Sequence, residues 1–160
     1  MIKIRRNVFE TNSSSTHSVT WINSYCVDPK SIELDDEGFL RVPMEGYCSA
    51  CYYARPEEKL GYLVQLCGYT KDIYLNTYGQ ELKEKLELLY DCDDFKSLEE
   101  TIIEYMDNGC KGIRFYDDDS YGYIDDGHDY SSIRDFLDEN RMTLIEFVFG
   151  GAVLHYDYNG

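Results

Sequence analysis

Eight consecutive positions, Thr11-Asn12-Ser13-Ser14-Ser15-Thr16-His17-Ser18, carry seven hydroxyl or amide side chains and one imidazole. Three kinds of chemistry use such a run. Hydroxyls and backbone N–H groups can cradle a phosphate, but the glycines that let backbone approach an anion are missing here, as is the lysine of a P-loop. A serine activated by His17 is the second. In an extended segment Ser14, Thr16 and Ser18 point away from His17 while Ser15 shares its side, and no third residue that would orient the imidazole can be identified. The third is a polar turn bonded to itself, with Asn12 and Ser13 satisfying backbone groups. The motif loop Asn12 to Ser18 is therefore read as structural or phosphate-binding, and no catalytic residue is assigned.

Metal chemistry has two candidate sources. Cys48-Ser49-Ala50-Cys51 is a lone CxxC, and zinc would need two further ligands from Cys26, Cys67 or a histidine, with no second close pair to supply them. Asp117, Asp119, Gly122, Ile124 and Asp125 occupy positions one, three, six, eight and nine of an EF-hand loop. Tyr121 stands at position five and His128 at position twelve, so the bidentate glutamate is lost. No metal and no cofactor is expected, and single His128 and His155 read as structural. Choosing two general acid–base carboxylates from 31 acids has no discriminating power without spatial information.

Charge is the broader clue. Acids outnumber bases 31 to 15, for a net charge of −16. The first thirty residues run the other way, with Lys3, Arg5, Arg6 and Lys30 against Glu10 and Asp28. From Asp91 to Glu139 sixteen acids face only Lys96, Lys111, Arg114 and Arg134, a net of −12. Such a field repels nucleic acid and membrane surfaces and attracts basic partners. With no basic stripe to neutralise phosphates, direct DNA or RNA binding is not expected. The candidate partner-binding residues are Asp91, Asp93, Asp94, Tyr116, Asp117, Asp118, Asp119, Tyr121, Tyr123, Asp125, Asp126 and Asp129, the tyrosines supplying contact area between carboxylates.

The opening string RRNVFETNSSSTHS resembles the start of a set of short phage and prophage-type proteins, most without an assigned activity. The resemblance covers residues 4 to 18, with a looser similarity in the closing LIEFVFGGAVLHYDYNG. It implies a viral accessory context, possible anti-defence or anti-CRISPR settings included, and carries no reaction class. Combined with the charge, the expectation is a nucleic-acid-mimicking inhibitor whose acidic face occupies a basic groove of a bacterial defence or nucleic-acid-handling protein. The alternative is a small nucleotide- or phosphate-binding protein or enzyme built on Asn12 to Ser18, with Arg5, Arg6 and His17 as local cations. A virion component with tyrosine-rich self-contacts is a third reading, and oligomeric state is left open.

The elements that must position these groups follow from periodicity. At 160 residues, 43% hydrophobic and 15% aromatic, the chain suits one folded domain spanning residues 1–160. The amino terminus lacks a secretory apolar run and no stretch reaches the roughly 18 apolar residues of a membrane helix, so a cytoplasmic protein with reduced cysteines is expected. Strands are predicted at Met1 to Val8, His17 to Ile22 and Phe39 to Val42, with residues 9 to 16 as a connection. Helices are predicted from Pro56 to a stop at Gly68, over Glu81 to Tyr90 with a start as early as Lys71, over Ser97 to Met106 with Ser97 as cap, and from Ser131 or Ser132 through Leu137. Gly112 to Tyr116 and Tyr121 to Ile124 read as a hairpin, and Thr143 to Phe149 with Ala152 to Tyr156 as a second, closing one. The order gives an α+β fold, mainly antiparallel sheet with three to four helices packed on one face.

Overall fold

The helix marked by Pro56 is buried on all sides, and the other elements are arranged around it. In the computed structural model, which describes residues 4–10, 15–22, 26–44, 50–75, 77, 79–115 and 130–158, the chain has six strands and five helices among those residues. Helix α1 spans Pro56–Thr70, and every residue from Lys59 to Gly68 is buried. An all-round apolar helix belongs in the middle of a protein. Pro56 fixes φ at the first helical position, and Glu58 reaches back to accept from the Arg55 and Ala54 backbone N–H groups at 2.9 and 3.0 Å. Gly61 lies where a Cβ would stand 2.3 Å from the Pro43 carbonyl oxygen, so only glycine lets that segment cross α1 so closely. Gly68 does not end the helix, which runs one half-turn further because Thr70 and Lys71 still find the Leu66 and Gly68 carbonyls.

Strands β1 (Ile4–Glu10), β2 (Ser15–Trp21), β4 (Ala50–Tyr53) and β6 (Ala152–Tyr158) form an antiparallel sheet in the order β1-β2-β6-β4. Its register runs from Ile4 opposite Trp21 to Glu10 opposite Thr16, with an irregularity between Arg6 and Val8, and from Ser15 opposite Tyr158 to Trp21 opposite Ala152. Val19, Tyr53, Ala152 and Leu154 carry one face of it into the same hydrophobic cluster as α1. β3 (Leu40–Val42) and β5 (Ile113–Phe115) make a separate parallel pair, Leu40 opposite Ile113 and Val42 opposite Phe115. Parallel pairing demands a long crossover, and α1, α2 (Gly79–Tyr90) and α3 (Asp93–Met106) lie within it.

The mixed, mainly antiparallel α+β architecture agrees with the sequence pattern, while several local readings differ from it. The closing hairpin is not formed: Leu144–Phe149 is helix α5, and β6 pairs with β2 and β4 instead. Thr143 Oγ1 accepts from the Glu146 N–H at 3.1 Å while Glu146 Oε2 accepts from the Thr143 N–H at 2.8 Å. That reciprocal cap outweighs the strand preference of Ile145, Phe147 and Val148. Helix α3 starts four residues before Ser97, because Cys92 Sγ accepts from the Phe95 N–H and Asp93 and Asp94 sit favourably in its first turn. α2 covers the expected Glu81 to Tyr90 and starts two residues earlier, at Gly79, not as early as Lys71; α4 spans Tyr130–Glu139. β5 takes β3 as a partner; the Tyr121 to Ile124 half of the expected hairpin, and with it the pairing of the two halves, lies outside the described residues. The fifth helix exceeds the three to four expected.

Lys59 is the exception inside this core. It is 0% exposed, and its Nζ donates to the Ala152 carbonyl at 2.9 Å and the Gly150 carbonyl at 3.3 Å, with the Phe147 ring 5.7 Å away. One ammonium thus ties α1 to the junction between α5 and β6. Burial lowers its pKa from 10.5 to about 8, against the opposing pull of Cys26, Glu58 and Glu57.

Candidate functional site

Of the candidate partner-binding residues the structure describes Asp91, Asp93 and Asp94, which sit where α2 turns into α3. α2 ends at Tyr90, Asp91 and Cys92 make the turn, and Asp93 and Asp94 open α3 at the positive end of its dipole. Asp91 pairs with Lys96 on the surface, which holds the Asp91 carboxyl below its ordinary pKa and raises that of Lys96, the shared hydrogen bond being the largest cause for both. Asp93 and Asp94 have no cation within ion-pair distance among the described residues, and the same holds for Glu100, Glu104, Asp135, Asp138 and Glu139 on α3 and α4.

Tyr116, Asp117, Asp118, Asp119, Tyr121, Tyr123, Asp125, Asp126 and Asp129 lie outside the described residues, but both ends of their segment are held. At one end the Phe115 N–H donates to Tyr90 Oη at 3.1 Å, directly beside Asp91. Burial raises the Tyr90 pKa even against that bond, so the phenol stays neutral and able to accept. At the other end the Tyr130 N–H donates to Thr70 Oγ1 at 3.1 Å, and Tyr130 shares a cleft wall with Asp94. Between Phe115 and Tyr130 the sequence carries six aspartates and no lysine or arginine.

The polar motif is placed differently from its reading as a loop. Asn12, Ser13 and Ser14 lie outside the described residues, while Ser15, Thr16, His17 and Ser18 form the first half of β2. β2 has partners on both sides, His17 standing between Phe9 and Tyr156, and Ser18 between Val8 and His155. A strand paired on both edges commits its backbone N–H groups to the ladder and leaves few for a phosphate. Ser18 is 8% exposed.

Cys26 is an exposed thiol, while Cys67, Cys92 and Cys110 are buried and unbridged; burial pushes the Cys67 thiol far above its ordinary range. Cys51 lies in β4 opposite Tyr156, and Cys48 falls outside the described residues. Among the described residues no three histidine, cysteine or carboxylate side chains are grouped to hold a metal ion, and no helix is long and apolar enough to cross a membrane.

Sequence reasoning missed Lys59, Tyr130 and Arg134. Lys59 carries no local sign of burial beyond its place in a helix otherwise apolar on every face. Tyr130, Arg134 and Asp138 share a four-residue spacing that sets them on one side of α4. Comparison with known proteins returns no matching family model, no matching curated protein and no matching solved structure.

Proposed function

We propose that this chain is an acidic binding module, a phage-type accessory protein that occupies a basic groove of a nucleic-acid-handling or defence protein in place of nucleic acid. The observation that supports the reading most is that Asp93, Asp94, Glu100, Glu104, Asp135, Asp138 and Glu139 on α3 and α4 have no cation within ion-pair distance among the described residues. Duplex DNA presents one charge per ~1.7 Å of axis, so a rival for its groove must concentrate carboxylates on a body that does not collapse. Folded α3 and α4 supply such a body. The placement of Ser15 to Ser18 inside a doubly paired strand favours this reading over a phosphate-binding loop.

The test is capture of basic proteins from a bacterial lysate at low salt, followed by competition with duplex DNA. The native chain should release its partner to DNA and to rising salt. A variant with Asp93, Asp94, Asp117, Asp118, Asp119, Asp125, Asp126 and Asp129 changed to asparagine should fail to capture it. Retention of the same partner by that variant refutes the proposal.

A further inference from the structure

Helices α3 and α4 both pack on α1, and the space left between them is a cleft with two lobes of about 240 and 210 Å³. Periodicity builds its walls. Asp94, Ser97 and Thr101 recur at three and four residues along α3, and Tyr130, Arg134 and Asp138 recur every four along α4, so each set lies on one side of its helix. Tyr130, Arg134 and Asp138 line both lobes. One lobe adds the carboxylates of Asp94 and Asp135; the other adds the apolar Leu137, Met142 and Leu144.

Two side chains in this cleft lack the partners that their chemistry calls for. Tyr130 is only 4% exposed, yet its hydroxyl has no hydrogen-bond partner among the described residues. A buried phenol usually finds one. Burial, with Cys67 and Asp94 adding to it, raises the Tyr130 pKa despite Arg134, so the group stays a neutral donor facing the cleft. The Arg134 guanidinium is exposed and makes no ion pair among the described residues, although Asp135 is next to it and Asp138 one turn on.

A simple anion would meet Arg134 but also three carboxylates, and a simple cation would meet the carboxylates but also Arg134. We infer that the α3–α4 cleft binds a free α-amino acid with an apolar side chain. Its carboxylate would lie against the Arg134 fork and the Tyr130 hydroxyl, its ammonium toward Asp94 and Asp135, and its side chain against Leu137, Met142 and Leu144. Lobes of about 240 and 210 Å³ together fall toward the lower end of the roughly 300–1,000 Å³ typical of ligand sites, which suits an amino acid better than a nucleotide. This site does not depend on the acidic-module reading, since capture of a basic protein and uptake of an amino acid are measured separately.

Calorimetric titration of the full chain with L-leucine, L-leucine methyl ester and N-acetyl-L-leucine tests the inference. Leucine should bind, and the ester and the acetylated form, each lacking one charge, should bind at least about tenfold more weakly. Arg134→Gln, an exposed change that leaves the core intact, should weaken leucine by at least about tenfold and leave the ester unchanged. Tyr130→Phe should weaken leucine as well, provided its far-ultraviolet spectrum matches the native one. No heat with leucine, methionine or phenylalanine at millimolar concentration overturns the inference. So does an ester that binds as tightly as leucine, because that marks a merely acidic surface, and so does undiminished leucine binding by Arg134→Gln.

Discussion

Lys59 gives the fold an unusual dependence on pH. In the unfolded chain its ammonium titrates near 10.5; inside the protein burial moves this to about 8. The native state therefore surrenders its proton first. Below pH 8 both states are protonated and the buried charge costs about 3 kcal/mol. As pH rises through 8 the native amine becomes neutral while the unfolded one stays charged, so the unfolded state binds more protons and stability increases. Between pH 7 and 9 the gain is about 1.3 kcal/mol. Cys67 acts the other way, because its raised thiol pKa removes stability once the unfolded thiol ionises near 9, and Tyr90 and Tyr130 do so above 10. Comparison with Lys59→Met isolates the lysine: methionine keeps the stem but removes the titrating group. Urea unfolding at pH 7, 8 and 9, followed by the single tryptophan, Trp21, is the assay. Trp21 is a suitable reporter because its ring lies against Gly150, whose carbonyl Lys59 also meets. The native chain should gain about 1 kcal/mol on the variant from pH 7 to 9. Parallel pH profiles for the two proteins would refute the argument.

Two further substitutions probe the local reasons for the fold. Gly61→Ala should lower stability by about 1–3 kcal/mol despite the higher helix propensity of alanine, because the added Cβ meets the backbone oxygen of Pro43, which cannot rotate away; a raised melting temperature would contradict this. Thr143→Ala should cost about 0.5–2 kcal/mol in chemical denaturation by removing the hydroxyl that caps α5, and an unchanged midpoint would mean that packing alone holds the helix.

What could be read in advance depended on whether local signals agreed with one another. Around α1 they did: Pro56, the first-turn glutamates and the Leu60, Leu63, Val64 and Cys67 spacing all point to one helix with a buried face, and the structure buries its other faces as well. The inward Leu98 and Ile102 of α3 were equally legible, while the spacing left Tyr105 and Met106 as alternatives, of which Met106 is the buried one. At Thr143 to Phe149 the signals conflicted. A run of Ile, Phe and Val suggested a strand, and the T-x-x-E cap that decides otherwise spans only four residues. Pairing across the chain was beyond local reading, because β3 and β5 are 70 residues apart and nothing in either three-residue strand names its partner. The acidic excess could be counted in the sequence, whereas the bonds of the Tyr90 and Thr70 hydroxyls to backbone groups 25 and 60 residues away could not be read there. The cleft was hidden for a related reason: its two polar stripes belong to separate helices, and only their common packing on α1 sets them face to face.

The few cations are distributed so as to deepen the charge asymmetry. Arg41 lies 3.6 Å from Asp35, Arg114 3.0 Å from Glu37, Lys30 3.3 Å from Asp107 and Arg55 2.8 Å from Glu58. Exposed pairs of this kind contribute only about 0–1 kcal/mol each, so their stabilising value is small. Their effect on the field is larger, since Arg41, Arg114 and Arg55 neutralise acids that belong to neither α3 nor α4, while Lys30 meets Asp107 at the end of α3. Like charges gathered on one face repel one another and weaken the compact state, a strain that added salt relieves. The same salt screens attraction to a basic partner. Ionic strength thus moves folding and the proposed binding in opposite directions, so a partner released by salt has left a protein that is more firmly folded than before, and the loss reports electrostatic contact rather than unfolding.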